Sequence, residues 1–116
     1  YDGLYIHIKG PDVPGHDGDA FRKKDIIEMI DRYYLAPLID SINPEETIVA
    51  ITADHSTPCQ LKSHSDDPVP LLISGGGVKA DNTKTFSEKA CMNGKIGRIN
   101  GIQLMPLLVK YANANK

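Results

Sequence analysis

The sequence predicts an α/β fold with a largely parallel sheet, and three observations carry that expectation. Apolar periodicity runs in the order strand, helix, strand, strand, helix. The middle strand is a near-continuous β-branched run, Thr47, Ile48, Val49, Ala50, Ile51, of the kind covered on both faces. Two long polar loops each follow a predicted strand, and parallel sheets place ligands outside the carboxyl ends of their strands.

Residues 4–9 alternate, with Leu4, Ile6 and Ile8 on one face and Tyr5, His7 and Lys9 on the other, which predicts the first strand. Residues 10–18, rich in Gly, Pro, Asp and His, predict a loop. Asp17 or Asp19 can cap a helix running to about residue 42, because Ile26, Ile27, Ile30, Tyr34 and Leu38 recur along one face. Pro37 removes one backbone donor inside it, so a kink or break is expected there.

After the turn at Asn43 and Pro44, residues 46–52 predict a central strand and residues 53–68 a second polar loop. Residues 69–74 predict a third strand, stopped by Gly75, Gly76 and Gly77, which lack the strand–GxxxxGK[ST]–helix pattern of a phosphate loop and are expected to form a turn. A short helix is expected within 86–91, and a closing helix over 101–112 with Pro106 near its first turn. Residues 112–116 are expected to fray.

At 116 residues one compact domain is expected. With 13 basic against 15 acidic residues and a net charge of −2, nothing in the charge balance suits nucleic acid or an anionic membrane. No apolar run is long enough to span a bilayer. The first residues include no starting methionine, basic leader or cleavage site, so the chain is expected to be a piece of a longer protein. Cys59 and Cys91 form no CxxC pair; free thiols in a reducing cytoplasm are the default reading and a single disulfide the alternative.

The chemistry-bearing residues concentrate in the two loops. In the first, Asp12 and His16 can converge on one cation, although an ordinary Asp- and Gly-rich turn accounts for the same residues. In the second, Asp54 and His55 directly follow the central strand, and His64 comes later. Adjacent Asp and His side chains pointing to opposite sides suit ligands shared between two neighbouring ions. Any single histidine is more often a satisfied surface or core residue, but three of the chain's four histidines in these two loops outweigh that reading. Oxygen and nitrogen donors favour Mn, Zn, Co or Mg over iron–sulfur or structural zinc chemistry. Cys59 reads as packing or a bystander, and Asp66 and Asp67 as loop solubility or capping residues. Lys9 is a candidate phosphate contact, with a solvated lysine as the competing reading.

Taken together, HIKGPDVPGHDGD, ITADHSTPC, HSDDPVPLLISGGGV and GRINGIQLMPLL resemble the archaeal type of cofactor-independent (2,3-bisphosphoglycerate-independent) phosphoglycerate mutase, in the alkaline phosphatase superfamily. The likeness covers almost the whole chain. It implies a three-layer α/β/α, alkaline phosphatase-like domain with a mostly parallel sheet, of which residues 1–116 would be the C-terminal, metal-binding part.

By the same resemblance, Asp12, His16 and His64 match the ligands of one metal site, and Asp54 and His55 match two ligands of a second. The serine nucleophile, an N-terminal aspartate and the substrate domain of the family have no counterpart in this sequence, so the isolated chain is expected to be inactive. The implied enzyme is a cytoplasmic, glycolytic isomerase. It interconverts 2- and 3-phosphoglycerate through a phosphoserine, using two divalent ions (Mn, Zn, Co or Mg) and no 2,3-bisphosphoglycerate. Its partners would be the small-molecule substrate and the N-terminal remainder of the same protein. Two other readings stay open: a sister metallophosphomutase or phosphatase, and a stand-alone metal-binding module.

Overall fold

A computed structural model describes residues 2–114. In chain order these form α1 (Asp12–Asp17), α2 (Ala20–Ile30), a π-helical turn (Asp31–Leu35), α3 (Ala36–Ser41), β1 (Ile48–Thr52), β2 (Leu71–Gly75), α4 (Glu88–Cys91), a 3-10 turn (Gly101–Gln103) and α5 (Leu104–Ala114).

By its internal packing the chain divides into two compact units. One is built from the chain up to Asp40 together with His55–Asp66, the other from Ser41–Asp54 and the chain from Asp67 onward. The physical reason is the scarcity of burial. The accessible surface is 9175 Å², against roughly 6,200 Å² for a folded monomer of this mass. Among the described residues Pro14, Gly15, Thr57 and Gly76 are buried, and no Leu, Ile, Val, Phe, Tyr or Met side chain is. No membrane-crossing helix, by length and apolarity, occurs among the described residues.

In the first unit, Pro11 to Gly18 is a correction to the expected loop. Pro11 caps α1, and Pro14 falls in the first turn, where a missing N–H breaks no intrahelical bond. Gly18, at φ 78°, closes the helix in the left-handed conformation. Asp19 then caps α2 by accepting from the Arg22 N–H at 2.9 Å. The long helix expected to about residue 42 is present, with the irregularity ahead of Pro37 that the proline requires. Pro37 cannot donate, and its ring would crowd the carbonyl of Tyr33 in a regular α-helix. The chain widens instead, and the Ala36 N–H reaches back to the Asp31 carbonyl.

Residues 4–9 are not a strand, which corrects the first expected element. Alternation supplies two faces, but a strand exists only where its backbone groups find a ladder. No pairing is made there among the described residues, and Leu4 is 81% exposed.

In the second unit the sheet is two-stranded and antiparallel, pairing Ile48 with Gly75 at one end and Thr52 with Leu71 at the other. The expected parallel arrangement is not what these strands adopt. A parallel pair needs a crossover, usually a helix, and the connection between β1 and β2 contains none. Among the described residues β1 has one partner, so it is an edge rather than a central strand, and its residues are half-buried except Thr52, which is exposed. α5 packs against β1. Gly75, Gly76 and Gly77 all take positive φ and form the expected turn. The short helix and the closing helix are also present. α5 remains helical through Ala114, so fraying does not begin at 112; residues 115 and 116 lie outside the described residues. Both cysteines are free thiols.

Candidate metal centre

The first unit gathers its chemistry from α1 and from the 55–66 segment. On α1, Asp12 and His16 are four residues apart and therefore share one face. Asp12 sits in the first turn, where backbone N–H groups favour a carboxylate. The 55–66 segment is drawn into a hairpin-like loop by an antiparallel bridge between Ser56 and Ser65, with the Ser65 N–H donating to the Ser56 carbonyl at 3.0 Å. His55 and His64 adjoin that bridge, and their rings lie against each other with centroids 3.7 Å apart and planes tilted by 31°.

The two segments meet at one oxygen. Asp12 Oδ1 lies 3.5 Å from His16 Nε2 and 3.6 Å from His64 Nε2. The two Nε2 atoms are 3.2 Å apart. Asp12, His55 and His64 also offer donor atoms within 4.8 Å of one another. His16 Nδ1 lies 3.2 Å from the Lys62 carbonyl. A carbonyl can only accept, so Nδ1 carries the proton and the Nε2 of the neutral ring presents a lone pair to the cluster. Either a proton on His64 Nε2 or a cation satisfies these three atoms.

Their spacing fits a cation. Ligands of a tetrahedral ion with bonds of about 2.0–2.2 Å stand roughly 3.3–3.6 Å from one another, and the observed triangle has edges of 3.2, 3.5 and 3.6 Å. The donor set, one carboxylate and imidazoles without thiolate, is of the type that takes Zn, Mn or Co.

Thr57 closes the cluster from below. It is 4% exposed; its hydroxyl donates to Asp12 Oδ1 at 2.9 Å and stands 3.2 Å from His55 Nδ1. The Thr57 hydrogen bond is the main reason that the Asp12 carboxyl is held below the usual carboxylate range. It outweighs partial desolvation, and the nearby imidazoles of His16, His64 and His55 act in the same direction. Lys23 on α2 donates to the Thr57 carbonyl at 2.8 Å. Gly15 leaves room for Thr57 against α1: a Cβ there would come within 2.8 Å of the Thr57 carbonyl oxygen and 2.9 Å of its Cγ2.

Of the residues expected from sequence, Asp12, His16, His55 and His64 are brought together. Asp54 belongs to the second unit, two residues beyond the end of β1. Lys9 lies just before α1, its side chain exposed and its carbonyl accepting from the Asp12 N–H at 3.3 Å. Sequence reasoning missed Thr57, Lys23 and the Lys62 carbonyl. Gly15 carried the one available signal, since a glycine within a helical turn marks close approach of another segment.

The sequence profile of the metalloenzyme superfamily matches residues 1–111. A 2,3-bisphosphoglycerate-independent phosphoglycerate mutase of Pyrococcus abyssi is 45% identical over 116 residues, which is all of this chain and 28% of that protein. A protein of the same name from Methanoculleus marisnigri is 47% identical over 112 residues, 97% of this chain and 26% of that protein. The solved structure of the PH0037 protein from Pyrococcus horikoshii matches with a TM-score of 0.89 at 44% identity, covering 95% of this chain and 33% of that one. The chain thus spans little more than a quarter of the length of the curated relatives it matches.

Proposed function

The chain belongs to the metalloenzyme superfamily, and on that premise we propose that it is the metal-binding C-terminal part of a phosphoglycerate mutase that interconverts 2- and 3-phosphoglycerate without 2,3-bisphosphoglycerate. The observation that carries this reading is the triangle of Asp12 Oδ1, His16 Nε2 and His64 Nε2, with edges of 3.2, 3.5 and 3.6 Å. Relatives named as such mutases, 45% identical across the whole chain, support it.

In this proposal Asp12, His16 and His64 hold one divalent ion, and Asp54 and His55 contribute to a second. Mn, Zn, Co and Mg are the candidate ions. When bound, such ions neutralise phosphate oxygens and make a hydroxyl a better nucleophile. The chain's own residues supply fixed geometry. Asp12 presents a carboxylate whose ionised form the Thr57 hydrogen bond favours, His16 is oriented by the Lys62 carbonyl, and His64 packs against the His55 ring. Lys9 is proposed as a phosphate contact. The nucleophile and the substrate domain would come from the remainder of a longer, cytoplasmic protein. There these units would join an alkaline phosphatase-like, three-layer α/β/α domain.

The test uses the full-length parent protein. His64→Ala is expected to abolish interconversion of 2- and 3-phosphoglycerate while circular dichroism stays that of the wild type. A folded variant with the wild-type rate would overturn the assignment of His64. Release of free phosphate by the wild type, with no isomerisation, would replace the mutase by a phosphatase on the same metal chemistry.

A further inference from the structure

We infer that Thr57 is a positioning residue that sets the tautomer of His55. Its hydroxyl donates its only proton to Asp12 Oδ1 and accepts the Nδ1 proton of His55, so that His55 Nε2 is the nitrogen left with a lone pair.

The argument is a proton count. Thr57 Oγ1 is 2.9 Å from Asp12 Oδ1 and 3.2 Å from His55 Nδ1. A hydroxyl has one hydrogen and two acceptor lone pairs, and an ionised carboxylate can only accept. Were the Thr57 proton turned toward His55, two oxygens 2.9 Å apart would face each other with no hydrogen between them. The proton therefore goes to Asp12. The contact with His55 is then a hydrogen bond only if His55 donates it from Nδ1.

The surroundings hold the hydroxyl in that role. The Thr57 carbonyl is tied to Lys23 Nζ at 2.8 Å, and the Thr57 methyl packs on the bare face of Gly15. A β-branched side chain has few χ1 choices, and with its methyl on Gly15 its oxygen faces Asp12 and His55. At 4% exposure, water has little access to replace it. One buried hydroxyl thereby orients a carboxylate and an imidazole together. Outer partners of this kind fix the ring orientation of metal-binding histidines, and their loss typically weakens metal affinity by about 10- to 100-fold.

The inference deepens the proposed metal site, and the test separates the two. Histidine ring nitrogens of the metal-free full-length parent protein would be assigned by long-range proton–nitrogen correlation at about pH 8, above the usual imidazole range. The expected result is His55 protonated at Nδ1 in the wild type. In Thr57→Val, which keeps the shape and removes the hydroxyl, the ring is expected to shift toward the Nε2–H form. Thr57→Ser should restore the wild-type pattern. Calorimetric titration with Zn²⁺ and with Mn²⁺ should give about 10- to 100-fold weaker binding for Thr57→Val and largely recovered binding for Thr57→Ser.

A wild-type His55 protonated at Nε2 would overturn the inference without any variant. So would a folded Thr57→Val with both the wild-type tautomer and the wild-type affinity. If the wild-type full-length parent bound neither ion, the metal reading would fail, and the nitrogen spectra alone would then decide the role of Thr57.

Discussion

Gly15 and Thr57 press together so closely that a Cβ on Gly15 would lie 2.8 Å from the Thr57 carbonyl oxygen. That oxygen belongs to backbone tied to Lys23, so it cannot move aside as a flexible side chain would. Gly15→Ala is accordingly expected to destabilise the first unit by about 1–3 kcal/mol, overriding the roughly 0.5–1 kcal/mol that alanine usually gains over glycine in a helix. Urea denaturation of the variant checks this. Gly101→Ala, where a Cβ meets nothing within 4 Å, serves as the control and should not destabilise.

Lys62 is the one non-glycine with positive φ among the described residues, at 52°. Its contribution to the cluster is a backbone carbonyl, which accepts from His16. Lys62→Gly should therefore preserve the His16 resonances and leave stability within about 1 kcal/mol of the wild type, since relief of strain and loss of chain stiffness oppose each other. Lys62→Val should lower stability by about 1–2 kcal/mol in the same denaturation series, because a β-branched residue resists this conformation.

In the second unit, the Asp81 carboxylate accepts from the backbone N–H groups of Lys95 and Thr83, each at 2.8 Å. These bonds, Lys95 first, lower its pKa to about 2. The folded state prefers the ionised group more than the unfolded chain does. Its stabilisation is thus fully present above the ordinary carboxylate range and is lost as pH falls from about 4 toward 2. Denaturation of wild type and Asp81→Asn between pH 7 and pH 2 should show part of the acid-induced loss missing in the variant.

Gly75 ends β2 at φ 87°, and a Cβ there would collide with the Thr47 carbonyl. The turn also returns the Gly76 N–H to the Pro44 carbonyl at 2.8 Å. Gly75→Ala should cost more than about 2 kcal/mol, as strain at a special backbone conformation compounded by a backbone clash. Faster hydrogen exchange at the β1 and β2 amides, relative to α2, would register the loss where it occurs.

The parts of this protein legible in its sequence are those where local chemistry suffices. Asp19 is a side-chain cap, Pro37 cannot donate, and three successive glycines turn; each produced the expected local structure. Asp12, His16, His55 and His64 could be named because three of the four histidines lie, with Asp neighbours, in two polar segments, a donor set suited to a cation. What sequence could not give was partnership. Leu4, Ile6 and Ile8 alternate as a strand does, but pairing depends on a ladder that periodicity cannot supply. Thr47 to Ile51 reads as buried on both faces, yet its environment is fixed by whatever packs on it. Thr57 escaped notice because a threonine two residues from a histidine is commonplace, and only the approach of α1 gives it something to do.

The widened turn at Asp31–Leu35 accommodates one more residue than an α-helical turn would. The side chains of α2 and α3 are consequently out of phase by about 100°, one residue's rotation. Ile26, Ile27 and Ile30 upstream and Leu38 downstream therefore do not continue a single stripe, even though their sequence intervals suggest one. Deleting a residue from this turn would bring the two stretches back into phase and set the ring of Pro37 against the helix backbone. The bulge thus lets one continuous rod carry two differently aimed surfaces past a residue that would otherwise end it.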